Sequence, residues 1–297
     1  MVETSANPMC ELHDSGELTL PGDGRAVLAG RALALGEWFD AQFLALARQA
    51  GAEEISFPSL VPRVTLERAG YLEAFPQGAT RVSAPGMEET HVLAPAVCYQ
   101  VYAQMAGRTI AAPRIFTCAG RCFRHENAAF HGLARLWEFT MREIVFLGPA
   151  GWVAERRREW MERIRAFAAL AGLAGNLEPA SDPFFVGGAG RGRKLLQQLK
   201  ELKFELRLEL DPAGETLAAA SFNLHEDFFG RRLEIRLPGG AQVSTGCVAF
   251  GLERWVCSFL AQRGAAAADV LAGQASRPVR SADFDSQGGT QCSTTNI

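Results

Sequence analysis

PRIFTCAGRCFRHE at 113–126 and LWEFTMREIVFLG at 136–148 decide the fold. Both runs alternate in character, as strands do, and the segment between them, NAAFHGLAR, is short enough to be a hairpin loop. The two strands are therefore expected to pair antiparallel. Alternate side chains then share a face, which puts Arg124 and Glu126 together on the first strand. On the second, Phe139, Met141 and Glu143 fall together.

Working outward, AVLAGRALALGEWFDAQFLALARQA at 26–50 repeats its apolar residues at helical spacing and ends before Gly51, which predicts a long amphipathic helix. EEISFPSLVPRVTLERAG follows as a strand, a turn around Pro58 and Pro62, and a short helix. ETHVLAPAVCYQVYAQMAG places a strand before Pro95 and a helix after it, so Cys98 falls near a helix N-terminus. Residues 151–172 predict a second long helix, and NLEPASDPFFVGGAGRG a Gly/Pro-rich loop. RKLLQQLKELKFELRLEL begins helical and ends as a strand, and LAAASFNLHEDFFG and RRLEIRLPGG predict two more strands. GAQVSTGCVAFGLERWVCSFLAQRG runs from strand into helix through its glycines. The sum is α+β, a largely antiparallel sheet flanked by helices. No GxGxxG opens a βαβ unit and no GxxxxGK(S/T) is present, which argues against a dinucleotide fold and a P-loop ATPase.

The domain plan expected is a flexible arm at 1–25, a catalytic domain at 26–265 with a helical and loop insertion near 151–200, and a C-terminal extension at 266–297 whose polar end, RPVRSADFDSQGGTQCSTTNI, is frayed. No 18-residue apolar run is free of charge, and the N-terminus lacks a basic region followed by an apolar one, so neither a membrane span nor a signal peptide is expected. The seven cysteines, at 10, 98, 118, 122, 247, 257 and 292, are too sparse for a secreted disulfide scaffold, and a reducing cytoplasm is the expectation. The net charge of −3 offers no broad basic surface for a large RNA. The basic run ERRREWMERIR at 155–165 alternates with acids and reads as a solvated helix laced by i,i+4 pairs.

Three motifs carry more than fold: TCAGRCFRHE at 117–126, LWEFTMRE at 136–143 and TGCVAFGLERW at 245–255. In this order they resemble the catalytic core of class II aminoacyl-tRNA synthetases, the seryl branch in particular. The resemblance is closer to a family of truncated seryl-type homologues with a methanogen-type, zinc-dependent core, the amino acid:[carrier protein] ligases. It covers roughly residues 25–265. It implies a class II catalytic domain that uses ATP. Arg124 would hold the α-phosphate and the substrate carboxylate, Glu126 would accept from the adenine amino group, and Phe139 would stack on adenine. Arg135 would reach the outer phosphates, Arg254 would bind the γ-phosphate, and Gly251 would let the backbone approach the nucleotide. A fork of cationic donors is what the chemistry needs, because attack of a carboxylate on phosphorus brings two anions together. For Mg2+ the family's acid–serine pattern does not fit at Glu215; Ser221 and Asn223 remain as candidates, with the acid unidentified. Pro62 or Pro58 would match the proline of the first motif, which implies a homodimer built on residues 26–66.

The resemblance also implies a metal. Where common seryl enzymes carry an amine-binding acid after a proline, this chain has Cys98. Matching motif by motif yields the zinc set Cys98, Glu143 and Cys247, with one tetrahedral position left for the α-amine of the substrate. Cys118 and Cys122, spaced as C-x3-C, offer a competing ligand pair, and are read here as structural. The implied reaction is activation of a small amino acid, glycine or alanine favoured, as an aminoacyl-adenylate. Transfer to the phosphopantetheine thiol of an acyl or peptidyl carrier protein follows, with no tRNA. Two alternatives stand beside it: a seryl-tRNA synthetase-like enzyme charging tRNA, and a catalytically silent paralogue acting as a binding subunit. A small acidic carrier would dock on Arg156, Arg157 and Arg158, or on Arg191, Arg193 and Lys194.

Overall fold

The computed structural model describes residues 8–86, 89–125, 130–180, 201–211 and 213–272. Among them, the central sheet has seven strands: β1 (Glu53–Glu54), β2 (Arg114–Phe123), β3 (Glu138–Gly148), β4 (Gly175–Pro179), β5 (Lys203–Glu209), β6 (Thr216–Glu226) and β7 (Ser244–Gly251). Their spatial order is β1-β2-β3-β7-β6-β5-β4. Neighbours run antiparallel except β1, which is parallel to β2. The helices used below are α1 (Gly30–Gln49), α2 (Cys98–Gln104), α3 (Ala150–Leu170), α4 (Leu252–Arg263) and α5 (Ala265–Ala272). The expected α+β plan and the antiparallel pairing of the two motif strands are what the molecule adopts. Among the described residues no helix is long and apolar enough to cross a membrane.

The strands' alternation divides the molecule into two cores. On one face Ile144 and Phe146 of β3 join Val248 and Phe250 of β7 under α1, α3 and α4. α1 buries Leu35, Trp38, Phe39, Gln42, Phe43 and Leu46, the i, i+3, i+4 spacing of an amphipathic helix. Phe43 stacks on Phe250 with 4.0 Å between ring centroids at 9°. Burying a side chain of this size contributes about 1.5–3 kcal/mol. On the other face Met141, Val145, Leu147 and Cys247 pack beneath α2 and a small sheet of Leu60–Pro62, His91–Leu93 and Arg81–Val82.

Arg142 points to the helix face, where Nε and Nη2 donate to the two carboxylate oxygens of Asp40 on α1 at 2.6 and 2.8 Å. Nη1 donates to Thr117 Oγ1 at 3.2 Å. This buried fork locks α1 to the strand that carries Glu143.

The structure corrects several sequence expectations. The expected loose arm at 1–25 is clamped where it is described. Pro8–Asp14 is a helix, and Leu12 and Leu18 are buried in the main core. Leu18–Thr19 pairs with Val27–Leu28, so α1 starts at Gly30, not at 26. Glu17 explains the start. Its carboxylate accepts the Arg31 backbone N–H at 2.6 Å and the Arg31 guanidinium, satisfying a donor that the first turn of a helix leaves orphaned. Gly30 sits at φ +46°, in the left-handed region, and a Cβ there would run into the Glu17 carboxylate that makes this clamp, so the position favours glycine.

Residues 176–179, expected as loop, belong to edge strand β4, which pairs with β5. RRLEIRLPGG is not a strand. Phe228–Arg232 is a short helix, and Arg236 makes only isolated bridges, to Thr109 and Gln242. The basic run on α3 pairs at i,i+3, through Arg156–Glu159 and Arg165–Glu162, rather than at i,i+4. Beyond residue 265 the chain continues as α5, with Ala265 and Ala268 buried. Residues 273–297 and the second basic cluster, Arg191, Arg193 and Lys194, lie outside the described residues.

Candidate active site

Strand register builds the site as two rows across the sheet. Glu143 of β3 faces Ala249 of β7, which faces Ser221 of β6, which faces Glu205 of β5. The next row on the same face runs Val145, Cys247, Asn223, Lys203. Above these rows lies a cleft of about 460 Å³. Cys98, Arg124, Arg135, Phe139, Glu143, Ser221, Asn223, Cys247, Gly251 and Arg254 all line it, so these sequence-predicted residues converge in one place. Glu126 lies outside the described residues.

Cys98 is the first residue of α2, delivered by the turn after Pro95. Its backbone N–H donates to Glu143 Oε2 at 2.8 Å. The donor atoms of Cys98, Glu143 and Cys247 lie within 4.8 Å of one another, and all three residues are buried. Burial raises the Glu143 carboxyl above its usual range, against the pull of the Cys98 N–H. The hydrogen bond to Cys247 and burial push the Cys98 thiol well up. Cys247 is drawn down by that hydrogen bond but rises on balance through burial and the Glu143 charge.

Three acidic groups crowded together out of water hold their protons tightly, and a divalent cation among them would release those protons. Two thiolates and a carboxylate form a three-ligand set of the kind zinc takes in sites with an open position. A tetrahedral ion with metal–sulfur bonds near 2.3 Å holds its sulfurs roughly 3.8 Å apart, inside the spacing found here. These residues fit zinc. Cys118 and Cys122 are buried on β2 and are not part of this three-donor group.

The cationic groups sit on the side of the cleft nearer the hairpin. Arg124 leaves the end of β2 with Nε donating to Pro95 O at 2.7 Å, on the same turn that delivers Cys98. Its guanidinium lies 5.6 Å from the Phe139 ring centroid, a cation–π contact. Arg254, in the first turn of α4, bridges two segments: Nε donates to Ala134 O at 3.0 Å and Nη1 to Ala218 O at 3.0 Å. Gly251 closes β7 at an ordinary φ of −86°. A Cβ there would meet Arg254 Cδ at 3.5 Å, an ordinary contact, so the fold itself tolerates a side chain and the open floor serves the cleft. Glu253 is structural: its carboxylate accepts the Thr140 N–H at 2.8 and 2.9 Å.

Among the cleft residues that sequence reasoning missed are Lys203, Glu205 and His225. Lys203 and Glu205 line it as an ion pair, Nζ to Oε1 at 3.0 Å. Their signal was the alternation in KFELRLE, where Lys203, Glu205 and Arg207 share one face. Glu205 is also the residue directly across from Ser221 on the neighbouring strand. His225 lines the cleft as well, at the even spacing Ser221, Asn223, His225. Burial holds its imidazole down at about 3.

No family model matches the chain. Among curated proteins it is 36% identical over 233 residues to amino acid--[acyl-carrier-protein] ligase 1 of Bradyrhizobium diazoefficiens, a match covering 70% of this chain and 70% of that protein. Among solved structures, M. kandleri SerRS in complex with A. aeolicus tRNASec superposes with a TM-score of 0.76 at 24% identity, over 87% of this chain and 57% of that one. Seryl-tRNA synthetase from Pyrococcus horikoshii complexed with ATP gives 0.75 at 15% identity, over 92% and 64%. The fold is that of a class II aminoacyl-tRNA synthetase catalytic domain, and the expected α+β class holds. With 36% identity across an aligned stretch that covers 70% of both proteins, the chain belongs to the amino acid--[acyl-carrier-protein] ligase family.

Proposed function

We propose that the protein activates a small amino acid, glycine or alanine, with ATP and passes it to the phosphopantetheine thiol of a carrier protein. One observation carries this reading: a three-donor metal set and the cationic groups Arg124 and Arg254 share one cleft. In the first step an oxygen of the substrate carboxylate bonds to the α-phosphorus, the bond to the bridging oxygen breaks, and pyrophosphate leaves. Arg124 neutralises charge at the α-phosphate, and Arg254, at the same end of the sheet, braces the γ-phosphate. Phe139 and Glu126 hold the adenine by stacking and hydrogen bonding. Preorganised donors of this kind act where charge develops and need no rearrangement. For the Mg2+ that accompanies ATP, the cleft offers oxygen ligands from Ser221, Asn223 and Glu205. Cys98, Glu143 and Cys247 would hold a zinc ion, whose chemistry when bound is to take the neutral α-amine and so to select amino acids over plain carboxylic acids. In the second step the pantetheine sulfur bonds to the acyl carbon, the carbon–oxygen bond to AMP breaks, and AMP leaves with the electron pair while the thiol proton passes to solvent.

The test is mass spectrometry of a holo carrier protein incubated with enzyme, ATP and single amino acids. A gain of one aminoacyl mass, reversed by hydroxylamine, is expected with glycine or alanine. The likeness to M. kandleri SerRS favours a second reading, transfer to tRNA. Charging of bulk tRNA with no mass gain on any holo carrier would establish that reading and remove the first.

We also propose a homodimer through residues 26–66. Val27, Leu33, Leu60 and Val64 expose large apolar side chains within this stretch, at 44–58% of their area. Light scattering at micromolar concentration should report twice the mass of the chain; a monomer would end this proposal.

A further inference from the structure

His225 stands behind Cys247. Its ring is buried edge-on between Tyr102 and Phe229, 5.8 and 5.1 Å between centroids. Nδ1 lies 3.3 Å from the Tyr102 hydroxyl and 3.2 Å from the Thr245 hydroxyl. Nε2 lies 3.8 Å from Cys247 Sγ. A neutral imidazole has one N–H to place. A hydroxyl can donate or accept, but a thiolate can only accept. With Cys247 ionised, the tautomer that suits the thiolate therefore carries its proton on Nε2, and the single lone pair of Nδ1 is left to accept from the hydroxyls.

The two sulfurs of the donor set are thus treated differently. Cys247 faces His225 and also the Asn223 amide, whose Nδ2 donates to Sγ at 3.5 Å. The Cys98 backbone N–H is spent on Glu143. An N–H aimed at a thiolate draws charge from the sulfur, fixes its direction and makes it a weaker base. A less basic thiolate loses less to protons in the contest for a metal.

We infer that His225 is a positioning residue for Cys247, donating from Nε2 to the thiolate while Tyr102 and Thr245 fix its tautomer. The inference rests on the zinc reading of Cys98, Glu143 and Cys247. It assigns His225 no contact with substrate. Its role is to set how Cys247 presents its charge, in the way that outer partners orient and tune metal ligands.

The experiment uses the full chain as wild type, His225→Phe, His225→Gln and Tyr102→Phe. Zinc retention is measured against a chromophoric chelator, and the cysteine-to-metal charge-transfer band is read on the Co(II)-substituted protein. His225→Phe should hold zinc about 10–100-fold more weakly. Its band should shift to lower energy, because the sulfur regains charge. His225→Gln, whose amide supplies an N–H, should recover most of both. Tyr102→Phe keeps the imidazole and removes one hydroxyl; it should move the band in the same direction by less, and it decides the question should His225→Phe not fold. A folded His225→Phe or Tyr102→Phe with wild-type zinc retention and band energy would overturn the inference. A wild-type protein that takes up neither zinc nor cobalt would overturn the metal reading itself, a result that precedes any comparison of variants.

Discussion

Arg142 and Glu143 are adjacent in the chain, both buried, and placed on opposite faces of one strand. On the helix face Arg142 meets Asp40 in a two-pronged ion pair, so the chain answers its own charge. On the cleft face Glu143 meets two cysteines, and acid is set against acid. A core built for stability pairs opposites, because a charge taken out of water must be compensated. A core that gathers like groups and raises their proton affinities is arranged around something it binds. The helix face should therefore govern stability, and the cleft face activity.

The largest expected effect tests the stability half. Phe43→Ala removes a ring stacked on Phe250 and should cost about 3–5 kcal/mol in chemical denaturation. Pyrophosphate exchange per folded molecule should stay near wild type; a comparable loss of exchange would break the division of labour. The next tests the other half. Arg124→Ala and Arg254→Ala should each lose about 3 kcal/mol of transition-state stabilisation, on the order of a hundredfold in exchange. The hydrogen bonds that each gives up to backbone carbonyls should cost stability only about 1 kcal/mol apiece. Near-wild-type exchange in either variant would move the nucleotide elsewhere.

Gly251→Ala sharpens the comparison, since the added methyl has room in the fold and would stand on the floor of the cleft where the nucleotide is proposed to lie. ATP affinity should fall by about tenfold, about 1.4 kcal/mol, with thermal stability unchanged. A stability loss with intact affinity would make Gly251 a packing residue.

The smallest effect concerns the N-terminal clamp. The hydrogen bonds and charge of Arg31, with Ser15, hold the Glu17 carboxyl down from its ordinary 4.5 to about 2. Because the folded value is the lower one, the clamp's contribution is full above the ordinary value and is lost as pH falls from there through about 2. Hydrogen-exchange protection of Leu12 and Leu18, taken relative to the intrinsic rate at each pH, should fall over that range in wild type. In Glu17→Gln it should already be low at neutral pH. Constant protection across the range would show that the segment is held by its apolar contacts alone.

Much of this molecule was legible in the sequence, for physical reasons that also mark the limit. The two motif strands, α1, α3 and α4 carry unbroken periodicity, and local pattern suffices to place them. The zinc set, in contrast, has no local spacing: Cys98, Glu143 and Cys247 came from the resemblance, and strand register then brought them together. Lys203 and Glu205 went unread because their importance depends on which strand lies beside Ser221 and Asn223, a nonlocal fact. Glu17 went unread because a short polar segment gives no sign of the helix end it will cap. Edge strand β4 was hidden by the glycine and prolines around it, which speak for loop until a partner strand is present.

The rows across the sheet have a consequence for how such a protein can change. Neighbouring strands are held about 4.8 Å apart by backbone hydrogen bonds. Those bonds set the interval between Glu143 and Ser221, and between Cys247 and Asn223, whatever side chains occupy the sites. A loop can lengthen or shorten without altering that interval, and one added residue in a strand would turn every later side chain to the opposite face. Descendants of this chain can take new amino acids by enlarging or trimming side chains over a fixed grid. They cannot do so by moving the grid, and substrate range should drift in steps of single side-chain volumes while the spacing between the metal donors and the nucleotide groups stays the same.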